Sequence, residues 1–115
     1  MVEALDSQPI LDKLIAKSRE GRVSWEVWET TRFRCSVEGQ YTFQIAKYED
    51  TYKLEMRDAS DYEILSLSQS DQIIFQDGNE RRLFESLSDL YEIARRKALQ
   101  VEGKLATASD LLDRI

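Results

Sequence analysis

The sequence predicts an α+β fold: an N-terminal helix, an antiparallel meander of four or five strands, then one long kinked helix or two shorter ones. Three observations carry this. Apolar residues recur at helical spacing near the start, at Ile10, Leu11, Leu14 and Ile15. Between residues 32 and 67 the period drops to two, interrupted by turn material at Glu38-Gly39, Glu49-Asp50 and Ala59-Ser60. From about residue 80 the helical period returns and runs to the last residue. Amphipathic helices on one face of an amphipathic sheet cover each other's apolar surfaces, which leaves the second face polar and open.

The first helix is expected over residues 8–20, with Ser7 as N-cap, Pro9 in the first turn and Gly21 just past the end. The next segment, Val23 to Trp28, alternates apolar and polar until Trp28 breaks the pattern. It reads as a short edge strand or an extended lead-in to the sheet. Trp25, in phase with Val23 and Val27, belongs in the core under the first helix. Trp28 is out of phase. Core packing is the favoured reading for the tryptophan pair, and exposure of Trp28 at an interface is the competing one.

Strands are expected at 32–37, 41–48, 51–58 and 62–67. Parity fixes how the first three pair. A two-residue loop at 38–39 would send apolar partners to opposite faces. An odd loop, Val37-Glu38-Gly39 with a left-handed Gly39 in a bulge, pairs Cys35 with Tyr41 and Phe33 with Phe43. At the next turn a two-residue loop, Glu49-Asp50, pairs Phe43 with Met56 and Ile45 with Leu54. Phe33, Cys35, Tyr41, Phe43, Ile45, Leu54 and Met56 should then be buried together, with Arg34, Thr42, Gln44, Lys53, Glu55 and Arg57 on the opposite face. In the fourth strand Tyr62 and Ile64 conflict with Leu65 and Leu67, which requires either a bulge or burial on both faces. Ile73-Ile74-Phe75 offers a fifth short strand before an Asp77-Gly78 turn, and Asp77 with Glu80 fits a capping box.

The C-terminal apolar series runs Phe84, Leu87, Tyr91, Ala94, Ala98, Val101, Leu105, Ala108, Leu112, Ile115, a heptad-like seam. One unbroken helix of that length would span about 50 Å, against a radius of gyration of about 13–14 Å for a domain of this size. A break or kink near Gln100–Gly103 is preferred. It puts Arg95, Arg96 and Lys97 at a helix C-terminus, where cations are favoured, and spares Gly103 a mid-helix cost of about 1 kcal/mol.

With 115 residues, 42% of them hydrophobic and 33% charged, the chain has the composition of one globular domain over 1–115. The N-terminus has no basic stretch leading into an apolar run, so no secretory signal is expected, and no apolar run approaches a membrane span. One cysteine, Cys35, cannot form an internal disulfide, which suits a reducing, cytoplasmic setting. The net charge of −6 opposes binding to phosphate-rich partners, so neither nucleic acid nor membrane is expected.

No histidine is present, which removes the commonest general base and metal ligand. Cys35 alternates with Phe33 and Val37 and reads as a small buried hydrophobe rather than a nucleophile. Asp58, Asp61 and Glu63 straddle a turn, Asp110 and Asp113 lie at a helix end, and neither group has the spacing of a Ca²⁺ loop. No glycine-rich phosphate motif occurs, and no cofactor or metal is expected. The polar sheet face is more informative. The expected register lines up Arg34, Thr42 and Arg57, with Arg32, Gln44 and Glu55 in the next row. Arginines flanking a Thr could hold a carboxylate or phosphate, while a solvated face with cross-strand pairs is the commoner use of such residues.

The stretch Gly21-Arg22-Val23-Ser24-Trp25-Glu26 and the later Leu87 to Leu99, containing Tyr91-Glu92-Ile93-Ala94-Arg95-Arg96-Lys97, resemble a family of small bacterial proteins of unknown function. The resemblance covers most of the chain. It implies a bacterial cytosolic protein and supplies no active site.

These features together lead to the expectation of a non-catalytic protein-interaction module, a homodimer with a further protein partner, whose interface would use Trp28, Leu105, Leu112 and Ile115. The alternative is a small-anion-binding or sensor domain using Arg32, Arg34 and Arg57. A carboxylate-dependent enzyme ranks last, and no enzyme activity is expected.

Overall fold

The computed structural model describes residues 2–70 and 78–115. Helix α1 (Val2–Arg19) leads into strands β1 (Glu26–Glu29), β2 (Arg32–Val37), β3 (Tyr41–Tyr48), β4 (Thr51–Asp58) and β5 (Glu63–Ser70), followed by helices α2 (Gly78–Ala98) and α3 (Val101–Asp113). Among the described residues the strands form one antiparallel meander in the order β1-β2-β3-β4-β5. The α+β expectation is met. The segment Ile73-Ile74-Phe75 and the Asp77 of the expected capping box lie outside the described residues.

Helix α1 begins earlier than the sequence suggests, so Ser7 is a buried residue inside it rather than its cap. Pro9 lies within the helix, where it has no N–H to give the preceding turn. Leu11, Leu14 and Ile15 are buried, but Ile10 points outward. The helix ends as expected. Gly21 has φ of 74°, its N–H donates to the Ser18 carbonyl, and the Arg22 N–H donates to that of Lys17, the paired bonds of a Schellman motif. A Cβ on Gly21 would meet no atom within 4 Å, so a substitution there costs backbone conformation alone. Gly21→Ala is expected to lower stability by about 1–2 kcal/mol, read from the urea midpoint at unchanged slope.

The odd β2–β3 loop is correct in parity but one residue further along. Val37 pairs with Tyr41, so the loop is 38–40 and Cys35 faces Phe43, Phe33 faces Ile45. Glu38 and Gly39 both have positive φ. The expected pairs were two residues off, and because strand faces repeat every two residues the apolar set stayed on one face. The β3–β4 register is as expected, with Phe43 facing Met56 and Ile45 facing Leu54. Tyr41 is a correction: it stands beside the turn at the end of the sheet and is 39% exposed. The conflict in β5 is resolved by a bulge. Met56 pairs with Leu65 and Arg57 with Glu63, which leaves Ile64 as the extra residue. Leu65 and Leu67 turn inward, and Ile64 and Tyr62 are exposed. The strand runs to Ser70, three residues beyond the expected end.

Helix α2 crosses the apolar face of the sheet and meets all five strands, and α1 packs beside α2. Leu83, Leu87, Leu90, Tyr91 and Ala94 recur at helical spacing and enter one core with Leu11, Phe33, Cys35, Ile45, Leu54 and Leu67. Tyr91 packs edge-on against Phe33 at 5.6 Å and tilted against Tyr52 at 5.5 Å. Trp25 is buried as expected, and its Nε1–H donates to Ser18 Oγ at 2.9 Å, which joins the chain after α1 to the core. Outside the core, Arg82 and Asp12 tie the two helices at 2.7 Å.

The C-terminal helical region is broken, as preferred, at the start of the expected Gln100–Gly103 stretch, so Gly103 is not spared a place inside a helix. Gln100 adopts the left-handed conformation between α2 and α3, and Gly103 lies inside α3. No residue of α3 is buried. The radius of gyration is 15.8 Å and the longest extent 56 Å, against about 13–14 Å expected for a compact chain of this length. No helix among the described residues is long and apolar enough to cross a membrane.

Candidate functional site

Helices cover one face of the sheet and leave the other open. Its cross-strand rows follow from the register. Glu26, Arg34, Gln44, Glu55 and Ser66 form one row, Glu29, Arg32, Ala46, Lys53 and Ser68 the next, and Ser36, Thr42, Arg57 and Glu63 a third. The two-residue slip on β2 therefore corrects the expected rows: Arg34 stands beside Gln44 rather than Thr42, and Arg32 beside Ala46. Arg32, Arg34 and Arg57 still line one depression of about 420 Å³, together with Trp28, Thr42 and Tyr48.

Trp28 reaches this face through a bulge. Val27 pairs with Phe33 and Glu29 with Arg32, so Trp28 is the additional residue between them. Bulges re-aim side chains in this way, and the break in alternation at Trp28 is its trace in the sequence. The residue is 49% exposed, which overturns core packing for the tryptophan pair. The Arg34 guanidinium lies 3.8 Å from the centre of the Trp28 ring, and its Nε donates to Glu26 at 2.8 Å. Arg32 repeats the arrangement more loosely, 5.1 Å over the Tyr48 ring and 3.5 Å from Glu29 through Nε. Each arginine is thus held by a ring and a carboxylate.

Arg57 is held differently. Its Nη2 donates to Glu55 at 3.3 Å and its Nη1 to the Asp61 carbonyl at 3.2 Å. Glu55 also meets Lys53 at 3.1 Å and is the least exposed member of the group, at 14% of its side chain. Burial alone would raise its carboxyl, but the hydrogen bonds and positive charges of Lys53 and Arg57 outweigh that and hold it below the usual carboxylate range. The face is therefore a set of fixed charges of both signs, with two arginines oriented by aromatic rings.

The remaining candidates separate from this site. Leu105, Leu112 and Ile115 lie on or just past α3 and are 60%, 69% and 98% exposed. None of them lines the depression that holds Trp28, so the four expected interface residues form two surfaces. Cys35 is buried between Phe33 and Val37. Asp58 staples its turn, its Oδ1 accepting the N–H groups of Ser60 and Tyr62. Asp110 and Asp113 lie on exposed α3. Among the described residues no group of three or more Cys, Asp or Glu side chains is placed to hold a metal ion.

Glu26, Glu29 and Tyr48 were missed as members of the polar site. Tyr48 shares the parity of Thr42 and Gln44 on β3, which was a legible signal. Glu26 alternates with Trp25 and Val27, which was a signal too, whereas Glu29 had none, because its side of the sheet depends on the bulge at Trp28. No protein-family model, curated protein or solved structure matches this chain.

Proposed function

We propose that this protein is a non-catalytic interaction module that self-associates through the apolar face of α3 and also engages a protein partner. The observation that carries the reading is a helix with four large apolar residues, Leu105, Leu111, Leu112 and the adjacent Ile115, and no buried residue. A helix of 13 residues containing Gly103 is marginal alone in water and gains its stability from packing. The heptad-like steps from Val101 to Ile115 put the apolar residues in a stripe that suits a second copy of the same stripe. Full burial contributes about 1.5–3 kcal/mol for each large side chain, and exposed patches of this kind mark interaction sites.

The small-anion reading has in its favour the gathering of Arg32, Arg34 and Arg57 around one depression. Against it, Arg57 already has both Nη groups committed within the chain, and the depression is open and polar, whereas small-ligand sites are concave and mostly apolar.

Replacing Leu105 and Leu112 with Glu tests self-association. Both side chains are exposed in one chain, so the variant is expected to stay folded, with an unfolding midpoint below wild type only by what dimerisation contributes at the concentration used. Sedimentation should turn from dimer to folded monomer. A wild type that sediments as a monomer at high micromolar concentration would overturn the proposal.

A further inference from the structure

We infer that Arg32 and Arg34 form a two-point carboxylate clamp on the open sheet face, which takes an acidic, extended segment of a partner protein. The geometry of the two guanidinium groups points there. Arg34 meets Glu26 through Nε, and Arg32 meets Glu29 through Nε. Among the described residues no hydrogen bond from the Nη ends of either group is found. Both side chains are partly exposed, 33% for Arg32 and 39% for Arg34, while the Nε edge of each is paired with a carboxylate of β1. A planar carboxylate meets the Nη fork of an arginine with two parallel hydrogen bonds.

Both forks are oriented before any ligand arrives. The Trp28 ring lies under one guanidinium and the Tyr48 ring near the other, so less side-chain freedom is lost on binding than a free arginine would lose. A carboxylate bound at the Nη end joins the existing pairs with Glu26 and Glu29 and displaces neither.

The occupant follows from charge and shape. The chain as a whole carries −6, yet the β2 segment contributes to one face two arginines whose Nη ends make no hydrogen bond among the described residues. Their chemical complement is acidic. Arg32 and Arg34 stand two residues apart on the same face of β2, with Cα atoms roughly 6.6 Å apart at strand spacing, the spacing of alternate side chains in an extended chain. The depression is open and its lining polar, with Thr42 and Gln44 between the arginines and Arg57. A surface of Trp, Tyr and Arg on a flat sheet has the composition of a protein-binding hot spot rather than of an enclosed small-molecule pocket. This surface is separate from α3, so it stands or falls independently of self-association.

The test is a fluorescence titration with hexaglutamate. The chain has two tryptophans. Trp25 is buried on Ser18, so a change in emission reports on Trp28. Saturable change is expected with hexaglutamate, weakened about ten-fold or more in each of Arg32→Gln and Arg34→Gln, with unchanged circular dichroism because both side chains are partly exposed. The Leu105→Glu, Leu112→Glu variant should bind as wild type does. Absence of saturable binding, equal affinity in the arginine variants, or inorganic phosphate saturating at the same concentration as the peptide would overturn the clamp.

Discussion

Phe33→Ala is expected to destabilise the protein by about 3–5 kcal/mol, a large share of the roughly 5–15 kcal/mol available to a domain of this kind. Phe33 is fully buried on β2, the strand beside the β1 edge of the sheet. It pairs with Ile45 on one side and Val27 on the other, and its ring meets the edge of Tyr91 from α2. Removing it opens a cavity between sheet and helix that both rigid layers can fill only in part. The control is Tyr41→Ala on the same sheet face. Tyr41 is 39% exposed at the hairpin end, so its loss should cost under half as much. Urea denaturation of the two variants checks the pair, and equal midpoints would mean that Phe33 is not at the centre of the core.

Cys35 is expected to be nearly inert in the folded protein and to make stability fall in alkaline solution. Burial pushes its thiol from the ordinary 9.0 up to about 12, against a smaller opposing contribution from its hydrogen bond with the Phe43 backbone. Three pH units mean about a thousand-fold less thiolate at neutral pH, so alkylation should be slower than in the unfolded chain by at least that factor. The sign of the stability effect follows from where each state ionises. Below about pH 9 the thiol is neutral in both states and its burial contributes in full. Between about 9 and 12 only the unfolded chain ionises, so that state binds fewer protons and stability falls as pH rises, by about 1.4 kcal/mol per unit. Between pH 8 and 10, wild type should therefore lose about 1.4 kcal/mol more than Cys35→Ala. Parallel pH profiles for the two proteins, or native labelling as fast as unfolded, would sink the prediction.

The local pattern was enough to place β2, β3 and β4 at their observed bounds and to put Phe33, Cys35, Phe43, Ile45 and Leu54 on one face. Strand periodicity is a property of neighbours along the chain, so alternation carries it. The same holds for the left-handed stop at Gly21 and for the stripe on α2, where helical spacing groups Leu87, Tyr91 and Ala94. Three things were settled only by tertiary structure. The β2–β3 register moved by two residues because parity is blind to even shifts, and with it moved every neighbour of Arg32 and Arg34. Trp28 joined the polar face because a bulge in an edge strand depends on pairing with β2, and the expected alternation shows only that something breaks there. Finally, the heptad-like seam runs on evenly from Leu87 to Ile115, yet Leu87 is buried and Leu105 exposed. Periodicity records which side of a helix is apolar, while the reach of the sheet beneath it decides how far that side is covered.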